Sequence, residues 1–168
     1  MRLSVVLSTY NSPAWLEKVL WGYHYQQFRD FEIVLADDGS DERTHELVKR
    51  MRDETGLDIE HVWQPDDGFR KCRILNKAIL ATRNDYIVFS DGDCIPRSDF
   101  LRVHAGRAES GYFLSGSYFK LPRYTSETIS RDDIERGDCF RASCCTGTDY
   151  HAGARPRNSQ QPRGSPRY

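Results

Sequence analysis

The sequence contains nothing close to the run of about 20 apolar residues that a membrane-crossing helix needs. Its first residues, MRLSVVLSTYNSP, hold too short an apolar stretch for a secretory leader before polar residues and Pro13 intervene. It has almost no net charge either: 24 basic and 25 acidic residues leave −1, so no overall field attracts nucleic acid or an anionic surface. Any phosphate must be captured locally. Paired-cysteine spacing is missing too. Cys72, Cys94, Cys139, Cys144 and Cys145 are odd in number and scattered, which argues against a disulfide framework and for reduced thiols in a cytoplasmic protein. Cys139, Cys144, Cys145 and His151 lie close enough together to raise a zinc site, yet their spacing fits no zinc pattern. The first strand-to-helix turn, Ser8-Thr9-Tyr10-Asn11-Ser12-Pro13, carries no glycine, which excludes the phosphate-binding fingerprint of dinucleotide oxidoreductases. A sugar-nucleotide pyrophosphorylase would need a glycine-rich basic loop near its start, and that is absent as well. From Glu135 to the end there is no Leu, Ile, Val, Met or Trp, so this stretch is expected to be a disordered tail following a domain of residues 1–134.

What the chain does have is alternation. Leu3–Leu7, Phe31–Ala36, Ile59–Trp63 and Tyr86–Ser90 read as buried strands. Between and after them, helical spacing recurs: Leu16, Val19, Leu20 and Tyr23 behind Pro13, with Asn11 or Ser12 as cap; Leu47, Val48 and Met51 from about Asp41 to Arg52, stopped by Gly56; Ile74, Leu75, Ala78 and Ile79; and Phe100, Leu101 and Val103 capped by Ser98. Tyr112–Ser115 is expected to form another short strand, and Ser130–Glu135 a capped helix. Four strand-helix units predict an α/β fold: a three-layer α/β/α arrangement around a mostly parallel sheet. Such sheets bind ligands beyond the carboxyl ends of their strands.

Three polar clusters fall on that rim: Thr9-Tyr10-Asn11, Asp37-Asp38 and Asp91-Gly92-Asp93. Asp91-Gly92-Asp93 sets two carboxylates around a glycine directly after a strand; two close oxygens suit Mg²⁺ or Mn²⁺, which would neutralise a diphosphate leaving group. The same tripeptide also suits an ordinary strand-ending turn. Asp37-Asp38-Gly39-Ser40 can accept hydrogen bonds from a ribose or base edge, or simply cap the next helix, and Asn11 has the same two options. Arg70, Arg73 and Lys77 are spaced to form a basic face at a helix start, either toward a diphosphate or toward solvent.

Taken in order, Ser8-Thr9-Tyr10-Asn11, Asp37-Asp38-Gly39-Ser40, the Gly-Phe-Arg…Asn-Lys-Ala stretch from Gly68 to Ala78, and Phe89-Ser90-Asp91-Gly92-Asp93-Cys94-Ile95-Pro96 resemble the family 2 glycosyltransferases over about residues 3–121. The resemblance implies the GT-A fold, a nucleotide-sugar donor, commonly a uridine diphosphate sugar, a divalent metal, and inverting transfer to a saccharide, lipid-linked or cell-envelope acceptor. Matched by position, it assigns Thr9, Tyr10, Asn11, Asp37, Asp38, Arg70, Arg73, Asn76, Asp91 and Gly92 to the donor, and Asp93 with Asp91 to the metal. The family's acceptor base lies well beyond the Asp-Gly-Asp turn. No match for it is found here: Asp132, Asp133 and Glu135 have helix-capping spacing. The expectation is a domain shortened at its C-terminus, which favours two outcomes besides catalysis: non-catalytic nucleotide or partner binding, and self-association through an unpaired sheet edge.

Overall fold

A computed structural model of the protein describes residues 1–141. Four parallel strands, β1 (Leu3–Thr9), β2 (Phe31–Asp37), β3 (Ile59–Trp63) and β4 (Tyr86–Asp91), lie in the order β3-β2-β1-β4. Helices α1 (Pro13–His24), α2 (Glu42–Thr55), α3 (Lys71–Ala81) and α4 (Phe100–Arg107) follow the strands in turn.

Strand residues alternate between the two faces of the sheet. Leu3, Val5, Leu7, Ile33 and Leu35 pack with Leu16, Val19 and Leu20 of α1, Leu47 and Met51 of α2, and Leu101 of α4 in one core cluster. Val6, Val34 and Ala36 meet Ile74 and Ala78 of α3 in a second cluster on the other face. The three layers expected from the alternation are therefore present. The strand order reverses between β1 and β4, the place where open α/β sheets form their ligand crevice.

Helix boundaries follow local chemistry. α2 is capped by the Asp41 side chain, which accepts from Arg43 N, and ends on Gly56 in the left-handed region. α1 begins at Pro13 after Ser12, with no side-chain cap bond. Asn11 does not cap it: it adopts φ 44°, accepts from Asp41 N through its side chain and donates its own N–H to Ser40 Oγ, tying the β1 loop to the β2 loop. Ser98 does not cap α4 either. The N-cap position falls to Asp99, whose carboxylate is held by Arg97 and Arg102 rather than by the helix backbone.

Three further departures lie beyond α4. Residues 112–115 form no strand; Tyr112 and Phe113 are exposed, so the apolar run there has no sheet face to cover. A short helix, α5 (Arg123–Thr128), intervenes, and α6 (Arg131–Arg136) starts with the expected Ser130 in a capping box with Asp133. The order expected to stop at Ile134 continues through Arg136 into a 3-10 turn at Asp138–Phe140. Cys139 is buried in the α1-side core and Phe140 packs against it. A cysteine acts there as a small hydrophobe, which a count of Leu, Ile, Val, Met and Trp overlooks. The remaining tail, including Cys144, Cys145 and His151 of the considered zinc set, lies outside the described residues.

Candidate functional site

The strand register assembles the rim. β1 and β2 pair with Thr9 opposite Asp37, and β1 and β4 pair with Ser8 opposite Asp91, so three strand ends finish level. Above them is a cavity of about 420 Å³, lined among others by Ser8, Thr9, Tyr10, Asp38, Lys71, Asp91, Gly92 and Asp93. That volume suits a nucleotide-sized ligand.

Asp37 and Asp38 divide their work by parity. Asp37 shares the side of Ile33 and Leu35 and is fully buried: Oδ1 accepts from Ser40 N at 2.8 Å, and Oδ2 pairs with His61 Nε2 at 2.8 Å. Burial alone would raise its carboxyl pKa, but the His61 and Ser40 hydrogen bonds outweigh it and hold the group below the ordinary value. Asp38, one residue on, faces the cavity and pins its far wall, accepting from Gln64 Nε2 at 2.6 Å and from Arg70 N at 2.8 Å. Gly39 between them and Ser40 has φ 102°, and a Cβ there would lie 2.6 Å from the Asp66 backbone. The chain can turn this tightly only with glycine.

Across the cavity, Gly92 donates to Ser8 O at 2.8 Å, and a Cβ on it would sit 2.8 Å from that oxygen. This contact sets the two flanking carboxylates beside the end of β1. Asp91 Oδ1 accepts from Ser8 Oγ at 2.7 Å and from Lys71 Nζ at 2.6 Å. The Lys71 and Ser8 bonds hold its pKa below the ordinary value, so Asp91 is ionised at neutral pH. Asp91, Asp93 and Cys94 each bring one ligand atom within 4.8 Å of the others. Two carboxylates in that set fit the hard divalent ions Mg²⁺ and Mn²⁺. Burial, followed by the Asp93 charge, pushes the Cys94 thiol up, so it is protonated when no metal is bound.

Two buried polar atoms near the carboxyl ends of the strands lack a partner among the described residues: Oγ1 of Thr9 and Oε1 of Gln64, whose amide nitrogen donates to Asp38. Such atoms are costly unless a ligand or water completes them. The hydroxyl of Tyr10, which also lines the cavity, donates to Asp66 at 2.8 Å.

Of the residues expected at a donor site, Thr9, Tyr10, Asp38, Asp91, Gly92 and Asp93 line the cavity. Exposed Asn11 and buried Asp37 do not line it but tie together the loops beside it, Arg70 contributes its backbone N–H to Asp38, and Arg73 and Asn76 are exposed and do not line it. Ser8, Phe69, Lys71 and Ile74 line it without having been singled out. Lys71 was legible in principle, as the first residue of α3 and the basic side chain between Arg70 and Arg73.

An α/β domain whose strand-order reversal carries paired carboxylates, a tight glycine turn and a lysine at a helix start belongs to the class of open α/β sheets whose ligand crevice lies beyond the carboxyl ends of the strands. Comparison with known proteins narrows the class. The glycosyl transferase family 2 model matches residues 4–148, and the chain belongs to that family. Validoxylamine A glucosyltransferase of Streptomyces hygroscopicus subsp. jinggangensis is 32% identical over 127 residues, 72% of this chain and 30% of that protein. The crystal structure of S. aureus TarS 1-349 superposes with a TM-score of 0.58 at 25% identity, covering 63% of this chain and 32% of that one. The mannosyltransferase PcManGT from Pyrobaculum calidifontis, solved with GDP-Man and Mn²⁺, gives 0.53 at 26% identity, covering 60% and 30%. The fold is thus that of GT-A glycosyltransferases, and the chain spans less than a third of each of these proteins. Among the described residues no helix is long and apolar enough to cross a membrane.

Proposed function

We infer that this domain binds a nucleoside diphosphate sugar, with a uridine diphosphate sugar as the first choice, and that it serves inverting transfer of the sugar to a hydroxyl of a saccharide or cell-envelope acceptor. The observation carrying this reading is the convergence on one cavity of Asp91, Asp93, Thr9 and Lys71 at the ends of β1 and β4 and the start of α3. Asp93 and Asp91 would hold Mg²⁺ or Mn²⁺, which supplies charge neutralisation to a departing diphosphate. Thr9, Tyr10 and Asp38, which line the cavity, would contact the nucleoside, with Asp37 and Asn11 fixing the loops that carry them. The mannosyltransferase solved with a nucleotide sugar and Mn²⁺ supports the metal and ligand class.

A second reading, donor binding without transfer, is favoured by one observation. Of the downstream carboxylates Asp132, Asp133 and Glu135, Asp133 is engaged in the α6 capping box, and among the described residues no carboxylate beyond Asp93 lines the cavity. Calorimetric titration of UDP with and without Mn²⁺, on the wild type and on Asp93→Ala, tests what the readings share. Metal-dependent binding lost in the variant is expected. A folded wild-type chain that binds UDP in neither condition overturns both.

A further inference from the structure

We propose that Lys71 is an exchange cation: it neutralises Asp91 when the site is empty, gives that carboxylate up to a divalent ion, and takes the diphosphate as its new partner, so that metal and nucleotide bind cooperatively. This deepens the donor-site reading and rests on it.

Three observations carry the step. Lys71 Nζ is 2.6 Å from Asp91 Oδ1, on the carboxylate that would help hold the metal, so the ammonium and the metal compete for one group. Both side chains stay accessible, at 38% for Lys71 and 54% for Asp91, so the pair can part without burying a bare charge. Finally, Lys71 opens α3 beside Arg70 and close to Arg73, and the first turn holds no acidic residue and no side-chain cap. Arg70 is met by Asp67 at 3.4 Å, so the cation left without its carboxylate once metal takes Asp91 is Lys71 itself, at the positive end of the helix, and a diphosphate in the cavity would supply its anion.

Together these make the exchange directional. When metal binds alone, Lys71 must leave Asp91 with only solvent to receive it. When diphosphate is present, the released ammonium gains a charge-assisted hydrogen bond, so each ligand favours the other by the same factor. A static role would give the opposite sign. If Lys71 merely held Asp91 in a metal-binding pose, removing it would weaken metal binding.

The experiment measures Mn²⁺ binding to the full chain by electron paramagnetic resonance, without nucleotide, for the wild type, Lys71→Met and Lys71→Arg. Calorimetry then follows UDP binding with and without saturating Mn²⁺. Lys71→Met is expected to bind Mn²⁺ alone about two- to fivefold more tightly, as release of one exposed ion pair allows. It should bind UDP with Mn²⁺ about tenfold more weakly, and the enhancement of UDP affinity by Mn²⁺ should shrink toward unity. Lys71→Arg, which keeps the charge, should retain most of that enhancement. Unchanged or weaker Mn²⁺ binding in Lys71→Met, or an undiminished enhancement, overturns the exchange while leaving the donor site standing. A wild type that binds no UDP overturns the donor site and the exchange with it.

Discussion

Asp37 offers the sharpest test of how the rim works, because it reads as a ligand contact in sequence and as an internal brace in the structure. Replacing it with Ala removes acceptors from two groups at once: the N–H of Ser40, which is only 4% exposed, and the His61 ring. An unpaired buried donor costs about 1–3 kcal/mol and loss of a hydrogen bond to a charged acceptor a similar amount, so Asp37→Ala should destabilise by about 3 kcal/mol. In a domain of this size that lowers the melting temperature by roughly 10 °C. Asp37→Asn keeps Oδ1 for Ser40 N, and its amide can donate to a His61 ring protonated on Nδ1, so the cost should fall to about 1 kcal/mol. Thermal melts followed by circular dichroism, paired with UDP calorimetry in Mn²⁺, separate the two roles. As a brace, Asp37→Asn leaves UDP affinity within about threefold of wild type. A direct contact to the nucleoside would cost about tenfold or more. The brace argument is refuted if Asp37→Asn melts like wild type yet loses UDP affinity by tenfold.

Other perturbations give separable outcomes. Gly39→Ala must place a Cβ at φ 102° and 2.6 Å from the Asp66 backbone, so it should cost upwards of about 3 kcal/mol and show as a lower denaturation midpoint in urea. Gly92→Ala meets the Ser8 carbonyl at 2.8 Å and the Thr9 side chain at 3.3 Å; it should cost about 1–3 kcal/mol and weaken Mn²⁺ binding more than its stability loss explains. Acid should unfold the protein steeply. Desolvation would raise Glu32, but its bonds from Ser4 and Arg83 hold its folded pKa below the ordinary 4.5, and Asp37 is likewise depressed. Groups with depressed folded pKa values contribute stability above their unfolded values, and lose it as pH falls through the folded ones. Glu32→Gln should therefore flatten the acid limb of a pH-stability curve, and an unchanged limb would exclude Glu32 as its source. Peptide mapping after brief alkylation should find exposed Cys72 modified before Cys94, whose thiol is raised by burial and Asp93, with Mn²⁺ slowing Cys94 further.

The layers and the rim were legible in sequence because both rest on short-range periodicity. Apolar runs at Leu3, Phe31, Ile59 and Tyr86, each followed by helical spacing, leave little freedom in topology once parallel crossovers take one hand. The division between Asp37 and Asp38 was equally available: carrying the alternation of Ile33, Val34, Leu35 and Ala36 two residues further puts Asp37 inside and Asp38 at the cavity. Spacing could not supply contacts that cross the chain. The Lys71 bond to Asp91 spans 20 residues and the Asn11 bond to Asp41 spans 30, and both depend on the register that brings β1, β2 and β4 level. The segment from Tyr112 to Ser115 misled for a related reason. Its composition suits a strand, but among the described residues it finds no neighbouring strand or apolar face, and propensity alone does not make a sheet.

The two ends of the sheet show why this rim, rather than any other part of the surface, should do chemistry. At the amino ends, the fully buried Glu32 is saturated: Ser4 Oγ donates at 2.6 Å, Arg83 N at 2.7 Å and Asn84 Nδ2 at 2.9 Å, while Arg83 also reaches Asp58. Nothing is left there for a ligand to complete, and breaking that network only costs stability. At the carboxyl ends, Thr9 Oγ1 and Gln64 Oε1 go without partners, Asp91 and Asp93 stay exposed, and Lys71 stands on a carboxylate it can leave. Stability that could have been gained by closing this end is left unclaimed, and a bound nucleotide with its metal would supply it. Full-chain melts should therefore rise on adding UDP and Mn²⁺ together by more than the sum of their separate effects. Glu32→Gln should lower every melt without changing that excess, since its network lies at the opposite end of the sheet.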